Sequence, residues 1–167
     1  MRTVIGVVAL GVLASAGMLH AQTAGTAKVN TQWKCAAPNP VHALPVGDAA
    51  DHAYVVQQGK CTATKGEIAG VNEKDGATTE FAEAMGSNGK GQGVFVSTLA
   101  NGDKITYGYT FTGVSSNKVF QSGSNKWTMT GGTGKFKGIT GSGTCSGKGG
   151  SDGSAVFDCV GTYTLAK

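Results

Sequence analysis

Glu80 and Glu83 lie in a run, Thr78 to Met85, that alternates as a strand does. A carboxyl carried into an apolar interior by such a strand is the simplest proton donor a chain of this kind can build, because burial raises its pKa. Alternation places Glu83 on the side of Phe81 and Met85, so Glu83 is the interior acid if that side faces inward. The inverted arrangement, with Glu80 inside and Glu83 in water, is the preferred reading. Asp158, in the strand-like Ala155 to Leu165, is a third candidate, and nothing in the sequence selects one catalytic residue from among them. Tyr107, Tyr109 and Phe111 alternate with polar residues along Lys104 to Thr112, and with Trp127 they are the side chains expected to line a core or to bind a ligand.

Other reactive residues have plainer readings. His42 and His52 stand near Asp48 and Asp51 and could form a His-carboxylate pair, but exposed loop positions are the preferred reading. Cys35, His42, His52 and Cys61 are ligand types that zinc accepts, yet their spacings are long and irregular where structural zinc sites carry close pairs, so no metal is expected. Gly149-Gly150-Ser151-Asp152-Gly153 fits the nucleophile-elbow pattern, which needs a following helix, and here a strand-like segment follows. Lys135 precedes Phe136 where a phosphate loop needs Ser or Thr, so the glycine-rich stretch around it is no nucleotide site. No cofactor is implied.

The chain that must position these groups has 167 residues, 28 of them glycine, with hydrophobic residues at 40% and charged residues at 14%. That is enough for one globular core and too apolar for a disordered polyelectrolyte. Met1-Arg2, the uncharged run Thr3 to Leu19 and the small residue Ala21 read as an export signal cut after Ala21, which divides the chain into a signal peptide, 1–21, and a single domain, 22–167. The run is short and glycine-interrupted for a bilayer span, so no stable membrane insertion is expected. A secreted or periplasmic location follows. Arg2 is the only arginine, so the domain lacks the two-pronged donor that reads phosphates and guanine, and nucleic acid is excluded as a partner.

All four cysteines, Cys35, Cys61, Cys145 and Cys159, fall in the exported part, where an even count favours disulfides. Of the three pairings, Cys35 with Cys61 and Cys145 with Cys159 is preferred, because each joins neighbouring strand-like segments. Strand signals fill the domain: Lys28 to Cys35, Ala53 to Thr64, Glu67 to Val71, Thr78 to Met85, Gly93 to Thr98, Lys104 to Thr112, Asn117 to Gln121, Lys126 to Thr130, Gly138 to Ser146 and Ala155 to Leu165. Asn101-Gly102 predicts a tight hairpin between the fifth and sixth of these. Pro38, Pro40 and Pro45 mark Ala36 to Asp51 as a long loop, and Gly86 to Gly93 and Gly147 to Gly153 read as turns. Sequential hairpins of this number favour a closed up-and-down barrel or a sandwich.

The most distinctive stretch runs Trp127-Thr128-Met129-Thr130-Gly131-Gly132-Thr133-Gly134-Lys135-Phe136-Lys137-Gly138-Ile139-Thr140-Gly141-Ser142-Gly143, a strand, a glycine turn with Phe136 plugging the core, and a second strand. It resembles the Gly-Gly-Thr-Gly-Lys-aromatic-x-Gly turn of allene oxide cyclase-like and dirigent-like barrels. The chain is similar to exported bacterial members also in Val46-Gly47-Asp48, Lys60-Cys61-Thr62, Glu67 to Val71, Leu99 to Lys104 and Gly161 to Leu165. The resemblance implies an all-β, eight-stranded antiparallel up-and-down barrel of calycin-like type, often a homo-oligomer, with a cavity that in plant relatives holds an oxylipin epoxide or a phenolic intermediate. The expected function is binding of a small apolar or aromatic molecule in the barrel. A cofactor-free cyclase or isomerase and a ligandless structural barrel are the alternatives, and whether the protein is an enzyme is left open.

Overall fold

The computed structural model describes residues 25–167, so the expected signal peptide lies outside the described residues. Ten strands follow one another: β1 (Ala27–Cys35), β2 (Val41–Pro45), β3 (His52–Lys65), β4 (Glu67–Ile68), β5 (Val71–Met85), β6 (Asn88–Leu99), β7 (Lys104–Ser116), β8 (Val119–Gly132), β9 (Thr140–Gly149) and β10 (Ala155–Thr164). Every pairing is antiparallel. The sheet closes because β3 pairs with both β1 and β5, giving an eight-stranded barrel in the order β1-β3-β5-β6-β7-β8-β9-β10. Closure removes the open edges that a flat sheet would leave.

The strands differ from the expected ones in three places. The proline-marked loop contains a strand, β2, which pairs with Ala53–Gln57 of β3 while β1 pairs with Cys61–Lys65 along the same edge. Between them Ala36 N–H donates to Lys60 O and Asn39 N–H to Gln58 O, so that edge of β3 is bonded almost throughout. Pro45 is tolerated in β2 because the far side of that strand is a free edge. The glycine-rich Asn88 to Gly93 and Gly147 to Gly149 are likewise strand rather than turn, and Asn117 to Gln121 joins Lys126 to Thr130 in the single strand β8 apart from Asn117 and Lys118 at its preceding turn.

The glycines inside strands have a packing reason. Trp127 of β8 faces Gly143 of β9, which in turn faces Gly161 of β10. A Cβ at Gly161 would stand 2.6 Å from the indole Cζ2, and one at Gly143 closer still. The indole therefore lies across two strands whose side chains have been removed to admit it. Gly93 does the same for Tyr109, where a Cβ would come within 2.7 Å of the ring. Gly93→Ala is therefore expected to cost about 1–2 kcal/mol by overpacking, read as a lowered urea midpoint at an unchanged m-value; a neutral result would mean the ring swings away freely.

One end of the barrel is sealed. Phe136, in a short 3-10 turn over Gly134–Phe136, packs with Ile68, Leu99, Ile105 and Ile139, all at most 2% exposed. Gly134 takes φ +51° and lies against the Asp103 carboxylate, a position that combines left-handed backbone with no room for a side chain. The β4–β5 turn folds over the seal: Ala69 N–H donates to the Tyr163 hydroxyl at 2.8 Å and Lys135 Nζ donates to Ala69 O at 2.9 Å. Towards the other end the interior opens, since inward residues of β7 pass from buried Ile105 and Tyr107 to half-buried Tyr109 and Phe111.

Candidate functional site

Above the seal lies a cavity of about 210 Å³. Its wall is mostly apolar, and Trp33, Phe95, Tyr107, Trp127, Phe120 and Phe157 are among the aromatic residues that line it. Trp33 meets Phe95 edge to face at a centroid distance of 4.8 Å, and Tyr107 meets Trp127 edge to face at 5.6 Å. Alternation along β7 carries Tyr107, Tyr109 and Phe111 onto this wall together, and Trp127 reaches it from the neighbouring β8.

Both disulfides are present and both face inward. Cys35–Cys61 links β1 to β3 and Cys145–Cys159 links β9 to β10, in each case between residues directly opposite in register. All four cysteines line the cavity.

Two carboxylates project into this apolar space. Glu80 is on the inner face of β5, where Tyr109 OH donates to its Oε1 at 2.5 Å and Gln57 Nε2 donates to its Oε2 at 2.6 Å. Thr78 Oγ1 also bonds the Tyr109 hydroxyl. Glu80, Gly93 and Tyr109 lie in one lateral row across β5, β6 and β7, and the bare glycine lets the phenol reach across to the carboxylate. Burial and then the neighbouring Glu80 charge push the Tyr109 phenol up.

The second carboxylate, Glu73, was not singled out by the sequence. It is 7% exposed, deep in the cavity, and accepts from Ser97 Oγ at 3.2 Å and from Tyr107 OH at 3.3 Å, both at Oε1. Its Oε2 is buried without a partner. Burial pushes the Glu73 pKa from 4.5 up to about 7, against the smaller opposing effect of its two hydrogen bonds. Burial, followed by the Glu73 charge, also raises the Tyr107 phenol well above its ordinary value.

The other candidate acids lie elsewhere. Glu83 is on the outside with Phe81 and Met85, both exposed, so β5 has the inverted polarity that puts Glu80 inward. Asp158 is also outward, exposed on β10 and accepting from Gln32 Nε2 at 2.8 Å. Neither can reach a molecule in the barrel.

Glu83 belongs instead to an outer cluster at the open end. His52 is 7% exposed rather than a solvated loop residue, with Nδ1 2.7 Å from Asp48 and Nε2 3.1 Å from Glu83, whose other oxygen is 2.9 Å from Lys90 Nζ. The Asp48 bond, opposed by burial and helped by Glu83, raises the His52 pKa; Lys90 and then His52 lower that of Glu83. With both ring nitrogens engaged by carboxylates, His52 has none left to act as a base, and the cluster ties the β2–β3 turn to β5 and β6. His42, on exposed β2, takes no part. Among the described residues no group of His, Cys, Asp and Glu is arranged to hold a metal ion.

No protein-family model matches the chain and no curated protein matches its sequence. Solved structures do. The pterocarpan synthase dirigent protein GePTS1 superposes with a TM-score of 0.50 over 94% of this chain and 98% of its own, at 12% identity. The pterocarpan synthase dirigent protein PsPTS1 gives a TM-score of 0.48 at 11% identity, over 86% and 97% of the respective chains. At 12% identity the first likeness is one of fold: the chain is a closed eight-stranded antiparallel barrel of dirigent-like type.

Proposed function

We propose that this protein is an exported barrel, of the allene oxide cyclase-like and dirigent-like kind found in bacteria, that takes up one small, largely apolar or aromatic molecule in its one-ended cavity. The observation that carries the reading is the void itself. A barrel that served only as structure would be filled by Trp127, Tyr107 and Tyr109, whereas these rings line about 210 Å³ of space. An apolar cavity of about 150 Å³ suffices for benzene. Two disulfides, and the absence among the described residues of any helix long and apolar enough to cross a membrane, are compatible with the export signal read in residues 1–21.

A second reading, a cofactor-free isomerase or cyclase, is favoured by Glu73. A carboxyl poised near neutrality beside a reactant can give or take a proton at physiological pH, and the phenols of Tyr107 and Tyr109 stay protonated beside the two carboxylates. The likeness in fold to GePTS1, a pterocarpan synthase dirigent protein, supports reading a barrel of this architecture as able to host a reaction as well as binding.

Trp33 and Trp127 are the only tryptophans and both line the cavity, so intrinsic fluorescence reports on it alone. Titration with indole, 1-naphthol and 2-phenylethanol is expected to change that emission saturably and to raise the melting temperature, and native mass spectrometry of freshly isolated protein to show a bound small molecule. A flat response to all three, with no copurified mass, would remove the binding and enzymatic readings together.

A further inference from the structure

We propose that the cavity selects a cation: an organic amine whose ammonium group docks against Glu73 while its apolar body lies among the aromatic rings. The inference rests on the binding reading above and names the class of ligand.

Three observations converge. The cavity wall holds two carboxylates, Glu73 and Glu80, and among the described residues no lysine or histidine. An anionic ligand would enter a negative, poorly solvated space with nothing to pair it, where like charges repel most strongly. Next, Glu80 is already satisfied by Tyr109 and Gln57, whereas Glu73 keeps Oε2 buried and free at more than nine-tenths burial. A buried acceptor without a donor is costly; Oε2 is closed to water in the empty barrel, so a small turn of the Glu73 carboxylate is what presents it to an incoming N–H, which then supplies what is missing. Finally, Tyr107 and Trp127, in contact with each other, line the wall with Trp33 and Phe95. Ring faces attract ammonium groups.

The same arrangement imposes a pH dependence. The groups bonded to Glu73 are Ser97 of β6 and Tyr107 of β7, both neutral below pH 9; Leu99 is its register partner, and Glu80 is the other acid on the wall. With a Glu73 pKa of about 7, the empty site is mostly protonated at pH 6, and an ammonium group displaces that proton. Affinity is therefore expected to rise about tenfold from pH 6 to pH 8, with close to one proton released per amine bound at pH 6 and almost none at pH 8.

The test uses three probes of one shape, 2-phenylethylamine, 2-phenylethanol and phenylacetate, titrated into the oxidised protein by calorimetry and tryptophan fluorescence at both pH values. The expected result is that the amine binds at least tenfold more tightly than the alcohol at pH 8, that phenylacetate binds weakest, and that Glu73→Gln abolishes both the preference and its pH dependence. His52, whose pKa is raised by its bond to Asp48, lies outside the barrel and is retained in that variant. Should Glu73→Gln fail to fold, proton release measured for the wild type in buffers of different ionisation enthalpy decides the matter alone. An alcohol that binds as well as the amine, or an anion that binds better, would overturn the cation and leave the apolar cavity standing; no response to any probe would remove both.

Discussion

Reduction of the two disulfides is expected to unfold this protein at room temperature. Cys35–Cys61 spans 26 residues and Cys145–Cys159 spans 14. Chain-entropy arguments assign loops of this size about 3 kcal/mol each, so about 6 kcal/mol together, against a total stability of about 5–15 kcal/mol for an ordinary domain. Position adds to the effect. Four residue pairs join β1 to β3, against nine joining β1 to β10, and one of those four is the Cys35–Cys61 pair. That bond therefore fastens the seam at which the sheet becomes a cylinder. Urea titration followed by circular dichroism, with and without reductant, checks the expectation, and replacing Cys145 and Cys159 by alanine together should account for about half of the loss. An unchanged midpoint in reductant would show that the closed sheet holds by strand pairing and packing alone.

Glu73→Gln is expected to be more stable than the wild type at pH 8 and no more stable at pH 5. The folded protein holds the Glu73 proton up to a pKa of about 7, while the unfolded chain releases it near the ordinary 4.5. Between those values the folded state carries the extra proton, so stability falls as pH rises and levels off above pH 7. The full cost of ionising the carboxylate is about 3 kcal/mol. Glutamine escapes it but leaves an amide nitrogen where Oε2 had no partner, which reduces the expected gain at pH 8 to about 2 kcal/mol. His52, whose pKa is raised, loses its stabilising contribution as pH climbs above 6.5 in both proteins, so the difference between them isolates Glu73. Parallel stability-pH curves for the two proteins would mean that Glu73 is not held protonated by burial.

Much of the frame is local and was legible in the residues. The strict alternation of β7 puts Tyr107, Tyr109 and Phe111 on one wall, Asn101-Gly102 falls in the β6–β7 turn, where Leu99 N–H donates to Asp103 O at 2.8 Å, and Phe136 is wholly buried at the glycine turn. What escaped is non-local. Glycine runs such as Asn88 to Gly93 look like turns until the ring that needs the space arrives from another strand, as Tyr109 does over Gly93. Glu73 was hidden by a bulge between Glu73 and Asp75, which shifts the alternation and returns a residue from a polar run, Asn72 to Asp75, to the interior. His52 looks exposed in the sequence because one of its two partners, Glu83, is 31 residues away. β2 ends on a proline, Pro45, and has no buried residue, and it exists as a strand because β3 offers it an edge.

The seal built from Phe136, Ile68, Leu99, Ile105 and Ile139 makes the barrel a cup and not a conduit. Nothing can be handed through it from one side to the other. A ligand of the kind proposed would reach Glu73 leading end first and depart by the same route, trailing end first. Exchange of one occupant for another is therefore sequential, limited by departure of the first and insensitive to the concentration of the second. Groups added to the trailing end of a ligand project towards the opening, whereas groups added beside the leading end meet the closed base. For such a ligand the architecture would be selective about the head and permissive about the tail.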